Sequence, residues 1–581
     1  MKAVSFATMM MKRRIVIGFV YLLVVAQAAV SRCQEVVTKQ HSARSEAGMV
    51  ATVQPLATDV GAKVLRDGGN AVDAAVAAAL TLGVVDGHNS GIGGGCFILI
   101  RTAEGKVFAI DGRETAPGKA TRDMFMKDGK AQPQWSQTGP LASGVPGALA
   151  AYQLALEKCG TKKLGELIEP ARKLAGEGFP VNQTLAGALN AEKKDLSRFD
   201  GAKAVLVRED GQNWKAGDKL VQADLAKTLQ GVAAIGIEYF YRGPVAEKIA
   251  AWMAQNGGLL SAADFAAYQP LLREPIVTEY RKWKIVGFPP PSSGGVHVAQ
   301  ILKLVEPYDL KQLNAKNPVD FVHLVGDAMK VAFADRVHWL GDADFAKVPR
   351  GLLDANYLAS RGKLLSLEHA AKVDSHGEPP DWDSRWFGKH TTHLCAVDRQ
   401  GNWVGITQTV NTSFGSKVIV PGTGVVLNNE MDDFAIAPNS PNAFGLLGSE
   451  ANSVAAGKRP LSSMSPTIVM EGDQPILVIG AAGGPRIITQ TASVILRYLG
   501  LEMSLDEAMS APRFHHQWRP DKMVIERRSA QDWKEPLTAR GHEVEVSGGL
   551  ANVNAIGRRV GEKELHGVSE PRIPSKAGGP K

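Results

Sequence analysis

Hydrophobic positions change period several times along this chain, and each change marks an element. GGNAVDAAVAAALTLGVVDG (68–87) is Ala-rich and apolar almost without a break. Strong helix propensity without a polar stripe predicts a helix buried on all sides. GIGGGCFILI (91–100) runs from glycines into a strand. A dinucleotide loop needs strand, glycines and helix in that order, so the order here excludes it. Helical periodicity fills 146–177 and 222–256 and recurs at 296–306 and 318–336, with PPPSSGG (289–295) as a rigid elbow before the third. AKVDSHGEPPDWDSRWFGKH (371–390) is polar and broken by Gly and Pro. It predicts an exposed linker of the kind at which chains are cleaved.

After residue 390 the pattern turns to strands. TTHLCAVD (391–398) and WVGITQTVN (403–411) are β-branched and apolar, with a turn between them. QPILVIGAAGG (474–484) reads as a buried strand ending in two glycines. PRIITQTASVILRYLG (485–500) reads as a helix, with Pro485 suited to its first turn and Gly500 to its C-terminal cap. Helical layers around β-layers predict an α/β sandwich.

The turn DRQGN (398–402) reads as a three-residue hairpin loop, with Gly401 at the left-handed position such loops require. Asp398 then faces Asn402, paired residue numbers sum to 800, and Thr391 falls opposite Thr409 on the same face. A threonine hydroxyl is a weak nucleophile, but a free α-amine with a pKa near ~8 can serve as its base. Cleavage before Thr391 supplies that amine. Thr409 offers a second hydroxyl to orient the nucleophile. Gly483 and Gly484, at a strand end just before a helix, offer N–H groups for an oxyanion. Thr-Thr pairs in strands and Gly-Gly in turns are also common structural features, so the residues alone leave that reading open.

Composition narrows the field. The chain has 581 residues, 44% hydrophobic and 22% charged, with 61 glycines. This size predicts two lobes or one large layered domain. Lys12, Arg13 and Arg14 precede an apolar run, Ile15 to Val25, and then Ala-Gln-Ala. Residues 1–28 therefore read as a secretory signal peptide, an uncleaved anchor being the alternative. The run is too short for a comfortable membrane span. Removing its four basic residues lowers the net charge from +7 to +3, so nothing argues for a nucleic-acid partner. Cys33, Cys96, Cys159 and Cys395 show neither disulfide-framework nor zinc spacing and read mostly as small buried hydrophobes.

Several long motifs then occur in fixed order. TTHLCAVD, NNEMDDF (428–434), GKRPLSSMSPTIV (457–469) and GAAGGPRI (480–487) follow GGNAVDAA, GIGGGCF, DGRETAP (111–117), VPGALAAY (145–152), YRGPVAEKIA (241–250), PPPSSGG and ADR…LGD (334–342). Over roughly 45–575 the chain resembles the γ-glutamyltransferases (γ-glutamyl transpeptidases). The resemblance implies the four-layer αββα sandwich of N-terminal nucleophile hydrolases. It implies cleavage between His390 and Thr391 into a large chain (29–390) and a small chain of 191 residues (391–581) that form a heterodimer. It makes Thr391 the nucleophile, Thr409 its contact, and Gly483 and Gly484 the oxyanion pair. Arg113 matches the arginine that binds the donor's α-carboxylate, a task suited to its planar fork, and Ser462 and Ser463 add hydroxyls. Asn411, Glu430 and Asp433 match the groups around the α-ammonium. Alone, Asp432-Asp433 reads better as a solvated acidic turn; beside Arg113 and the serines the binding reading prevails. Residues 437–449 match a lid loop whose aromatic is Phe444, where some relatives carry tyrosine. His515 and His516, adjacent on a strand, face opposite ways and read as structural.

No metal or organic cofactor is implied. The expected substrates are glutathione and other small γ-glutamyl compounds, with water, amino acids or dipeptides as acceptors, and the expected location is periplasmic or secreted. A cephalosporin or glutaryl acylase on the same fold is the nearest alternative, and it would need no ammonium pocket. A non-catalytic exported binding protein is the alternative from another class.

Overall fold

The computed structural model describes residues 40–380, 393–437 and 440–580. The expected signal peptide, Cys33, His390 and Thr391 lie outside the described residues. Two seven-stranded sheets carry the fold, and every pairing within them is antiparallel. In the first, the order is Ser42–Ser45, Leu565–Val568, Asn552–Gly557, Gln474–Ala482, Thr467–Glu471, Trp283–Gly287 and Ile276–Tyr280. In the second it is Lys576–Gly578, Gly48–Thr52, His393–Asp398, Trp403–Thr409, Gly95–Arg101, Val107–Gly112 and Leu271–Arg273. Each sheet thus interleaves strands from before and after residue 390.

The core falls into layers that match this arrangement. Met49, Phe97, Leu99, Cys395, Val397 and Trp403 pack between the sheets against Phe288, Ile468, Val478 and Ile556. Leu394, Ala396, Val404 and Ile406, on the opposite face of the same strands, pack on Ala71–Val85 and neighbouring helices. Ile285, Leu477 and Ile479 face Gly294–Val305, Pro318–Trp339 and Arg486–Ile495. Period-2 alternation therefore assigns successive residues to different layers. The expected four-layer αββα sandwich is the observed fold.

Local chemistry explains the main elements. Ala71–Val85 opens with a capping box: the Asn70 side chain accepts from the Val72 and Asp73 N–H groups, and Asp73 accepts from the Asn70 N–H. All its residues except Gly83 are buried, as its unbroken apolar run predicts. The segment 146–177 is two helices, Ala148–Cys159 and Leu164–Glu177, and 222–256 holds Ala223–Ile235, Glu238–Tyr241 and Pro244–Asn256. Gly160 and Gly236, just past helix ends, make these breaks. The helix after Pro485 ends in one π-turn, Leu496–Gly500. The described part of the expected linker, 371–380, is irregular as predicted but anchored rather than exposed throughout. Ala371 and Val373 are buried, and their carbonyls accept from Lys330 (2.8 Å) and Trp518 (2.7 Å). Tertiary partners satisfy the backbone there, which no local pattern reveals.

The hairpin has the register counted from its turn. His393 pairs with Thr407 and Val397 with Trp403, so paired numbers sum to 800. Gly401 takes a φ of +100°. Asp398 holds the turn by accepting from the Gly401 (2.9 Å) and Asn402 (3.0 Å) N–H groups, and it also accepts from Ala71 N–H (2.9 Å) at the buried helix's N-terminus. At the other end of the strand the His393 ring is clamped between the sheets, bonded to Thr407 Oγ1 (3.0 Å). A Cβ on Gly480 of the facing strand would lie 2.5 Å from His393 Nδ1, so only glycine leaves room for the ring.

Burial lowers the His393 pKa to about 3. A depressed histidine pKa contributes stability that is complete above the unfolded value, near 6.5, and is lost as pH falls toward 3. By pH 5 this one ring costs about 2 kcal/mol, since each pKa unit corresponds to about 1.4 kcal/mol. Urea unfolding at pH 7 and pH 5 should show stability falling with acid, and a His393→Gln variant should lose about one proton's share of that slope.

Candidate active site

The site lies where the second sheet's central strands run out toward the loops that follow them. Thr409, the last residue of Trp403–Thr409, is buried and pairs with Gly95. A Cβ on Gly94 would overlap the Thr409 carbonyl oxygen, so the glycine run of GIGGGCF serves close strand approach. Thr409 Oγ1 accepts from the Asn411 N–H at 2.6 Å. Asn411 stands at φ +78° and donates its side-chain amide to the Asn429 carbonyl (3.0 Å). This bond ties the strand end to NNEMDDF. Thr391, whose position the same register assigns opposite Thr409, lies outside the described residues.

The NNEMDDF segment is locked from behind by Asn428. Its Nδ2 donates to the carbonyls of Gly93 and Gly144 (both 2.9 Å), and its Oδ1 accepts from Gly144 N–H (2.9 Å) and Glu430 N–H (3.0 Å). Glu430–Asp433 then forms a single 3₁₀ turn, all four residues buried. Burial rules out the solvated acidic turn.

Arg113 meets these carboxylates directly. Its guanidinium is fully buried and binds Glu430, Asp433 (2.8 Å) and Glu114 (3.2 Å). Its backbone is fixed in turn: its N–H donates to Asp111 (2.9 Å), and its carbonyl accepts from Tyr268 Oη (2.6 Å). Asp111 is held by Arg273 (2.9 Å) and Arg459 (3.2 Å). The family resemblance implies Arg113 at one end of an amino-acid-like substrate and Glu430 and Asp433 at the other; here these residues neutralise each other. Three carboxylates around one guanidinium leave excess negative charge in a dry site. Burial pushes the Glu430 carboxyl well above its usual range, and Glu114 and Asp433 add to this against the pull of Arg113. Burial also raises Asp432 to about 6, although the Ala443 N–H (2.8 Å) and the Ser136 hydroxyl (2.8 Å) bind it.

The serines come from a second loop pair. Ser462 runs beside PPPSSGG: its N–H donates to the Pro291 carbonyl (2.9 Å), and its carbonyl accepts from Ser293 N–H (2.8 Å). Ser462 and Ser463 are both buried, and Ser463 Oγ accepts from Arg336 (3.2 Å). Gly483 and Gly484 follow Gln474–Ala482 and precede Arg486–Ile495, with φ of +137° and +60°. Such angles favour glycine. Phe444 sits on Gly484: a Cβ there would be 2.7 Å from its ring. Asn442 tethers the same loop by donating to Asp433 (3.1 Å).

Sequence reasoning missed Glu114, Asn428, Asn442 and Arg336. Each was visible only as a polar residue inside a motif; Asn428 and Arg336 act through partners distant in sequence, whereas Glu114 binds its neighbour Arg113 and Asn442 binds Asp433 in the adjoining turn. His515 is a buried ring bonded to Thr489 Oγ1 (3.0 Å) and Gln517 (2.9 Å). His323, Asp327 and His542 are a buried trio of metal-ligand type. His323 Nδ1 and His542 Nε2 stand 2.7 Å apart, a hydrogen-bond distance and well inside the ~3.3 Å that two nitrogens on one tetrahedral zinc would keep.

Two antiparallel sheets between helical layers, with a buried threonine strand end, a Gly-Gly turn and an acidic arginine pocket, define an N-terminal nucleophile hydrolase. The family profile for gamma-glutamyltranspeptidase matches residues 57–579, and the chain belongs to that family and is an enzyme of it. It is 42% identical over 541 residues to the glutathione hydrolase proenzyme of Escherichia coli K12, covering 92% of this chain and 91% of that one. It is 38% identical over 547 residues to the acylase ACY 1 proenzyme of Pseudomonas sp. V22, covering 91% and 93%. Among solved structures, a cephalosporin acylase from Bacillus halodurans superposes with a TM-score of 0.83 at 28% identity, covering 93% of this chain and 97% of that one. The Helicobacter pylori gamma-glutamyltranspeptidase gives 0.53 at 40% identity, covering 56% and 91%.

Arg113→Met should destabilise the protein by about 3–5 kcal/mol, because it leaves buried carboxylates without their shared cation. Denaturant unfolding checks this, and adding Glu430→Gln should recover part of the loss.

Proposed function

We propose that the protein is an autoprocessed γ-glutamyltransferase and glutathione hydrolase. The precursor splits before Thr391: its hydroxyl attacks the His390 carbonyl, and water hydrolyses the resulting ester. The large chain, 29–390, and the small chain, 391–581, then remain together as a heterodimer. The interleaved strands of both sheets support this, since separating the chains would strip each sheet of central pairings.

In turnover the Thr391 α-amine takes the hydroxyl proton, and the oxygen attacks the γ-glutamyl amide of glutathione or a related donor. The N–H groups of Gly483 and Gly484 stabilise the tetrahedral oxyanion. The Thr391 ammonium protonates the leaving amine. Water, an amino acid or a dipeptide then resolves the γ-glutamyl ester. Thr409 holds the nucleophile. The donor's α-carboxylate engages Arg113, Ser462 and Ser463, and its α-ammonium engages Asn411, Glu430 and Asp433. A zwitterion suits this pocket because it can replace both halves of the Arg113–carboxylate pairing at once. Phe444, as part of the lid, shields the oxyanion glycines. The N-terminal pattern supports export to the periplasm or beyond, and no helix among the described residues is long and apolar enough to cross a membrane.

The buried Glu430–Asp433 pair carries this reading over an acylase. The acylase relatives favour the second reading, yet a glutaryl donor has no cation to answer those carboxylates. The wild type should cleave γ-glutamyl p-nitroanilide on the order of 10²-fold better than the glutaryl analogue, and Asp433→Ala should remove most of that margin. Equal rates on both anilides would favour the acylase. Thr391→Ala should remain one chain and show no turnover.

A further inference from the structure

Arg336 reaches the site through Ser463, and it is a buried cation with little charge compensation near it. It lies on Pro318–Trp339, a helix whose other buried positions are mostly apolar. Its guanidinium donates from Nε to Ser293 Oγ (3.0 Å) and from Nη2 to Ser463 Oγ (3.2 Å). Among the described residues it makes no ion pair. It shares the wall of a narrow cavity with Asp433, Asn442 and Leu446. Burial pulls its pKa down to about 10, Asp433 being the carboxylate that opposes the fall. Arg113 is in the reverse condition, with three carboxylates on its guanidinium. A buried guanidinium that has hydroxyls but no anion is poised to favour an incoming anion.

The hydrogen bonds say how that preference reaches a ligand. A hydroxyl oxygen that accepts from a guanidinium must use its own hydrogen as a donor elsewhere. Ser293 Oγ follows this rule: it accepts from Arg336 Nε and donates to the Ser462 carbonyl. Ser463 Oγ accepts from Nη2 in the same way. The fork therefore ties PPPSSGG to PLSSMSP and fixes the polarity of the Ser463 hydroxyl.

We infer that Arg336 is a positioning and specificity residue for the donor's α-carboxylate, holding Ser463 as a hydrogen-bond donor and supplying the positive charge that Arg113 shares with Glu430 and Asp433. This rests on the γ-glutamyl reading of the pocket. The donor's anionic end is then recognised through two guanidinium groups, one in contact and one acting through a serine. The consequence is discrimination by the α-carboxylate itself, against donors that carry only the amine.

The test compares two anilides, L-γ-glutamyl p-nitroanilide and 4-aminobutyryl p-nitroanilide, which differ only in that carboxylate. Arg336→Met should raise KM for the γ-glutamyl substrate about tenfold, with a much smaller change in kcat. Its ratio of kcat/KM values for the two substrates should fall by about tenfold relative to wild type. Arg336→Lys keeps the charge without the fork and should recover only part of the ratio. Adding Ser463→Ala to Arg336→Met should cost little more, because the two act as one unit. If Arg336→Met does not fold, Ser293→Ala, which frees one arm of the fork, should lower the same ratio by a smaller factor. Equal losses on both substrates, with wild-type selectivity retained, would overturn the inference and leave the γ-glutamyl reading intact. A wild type with no activity on the γ-glutamyl anilide would overturn that reading and this inference with it.

Discussion

The register of one hairpin is the constraint on which the rest depends. His393–Asp398 and Trp403–Thr409 form the middle of the second sheet, and a slip of one residue would exchange their inter-sheet and helix-facing sides. Two features at opposite ends prevent this. Asp398 holds the turn and the N-terminus of the buried Ala-rich helix at once, and the His393 ring fills a space cleared by Gly480 on the other sheet. Together they fix which side chains the hairpin carries to Thr409 and to Asn411 beyond it.

Charge in a dry place is the second constraint. Arg113, Glu114, Glu430 and Asp433 are buried together, and none of them could be so without the others. Such a cluster contributes little net stability, but it stores specificity. A ligand bearing one anion and one cation can exchange for its internal pairings, whereas a ligand with a single charge leaves an uncompensated group behind. The loop carrying Phe444 joins the same network through Asn442 and Asp433, so in the function we propose the donor-recognising groups and the loop over them share a hydrogen bond.

Much of this was legible in the sequence because it is local. The turn DRQGN contains its own type, so the strand pairing followed from counting. The unbroken apolar run at 71–85 announced a helix covered on every side, and the Gly-Gly before PRIITQ announced a strand-to-helix turn. Long-range partners were not legible. No pattern in DGRETAP says that Arg113 meets carboxylates some 320 positions away, and nothing in the helix 318–339 marks Arg336 as paired with serines from two loops. The polar composition of 371–380 suggested an open linker, yet Lys330 and Trp518 bind its carbonyls. Burial turned the doubtful Asp432-Asp433 pair from a surface turn into part of the pocket.

In the function we propose, the chain cuts itself before Thr391 and then uses the amine it has gained. Intact mass together with N-terminal sequencing of the purified protein tests it most directly. Two chains are expected, the smaller one beginning Thr-Thr-His-Leu, and a single chain for Thr391→Ala. A wild-type protein that stays uncut while it turns over a γ-glutamyl donor would contradict the account, because its nucleophile would then have no free amine to serve as base.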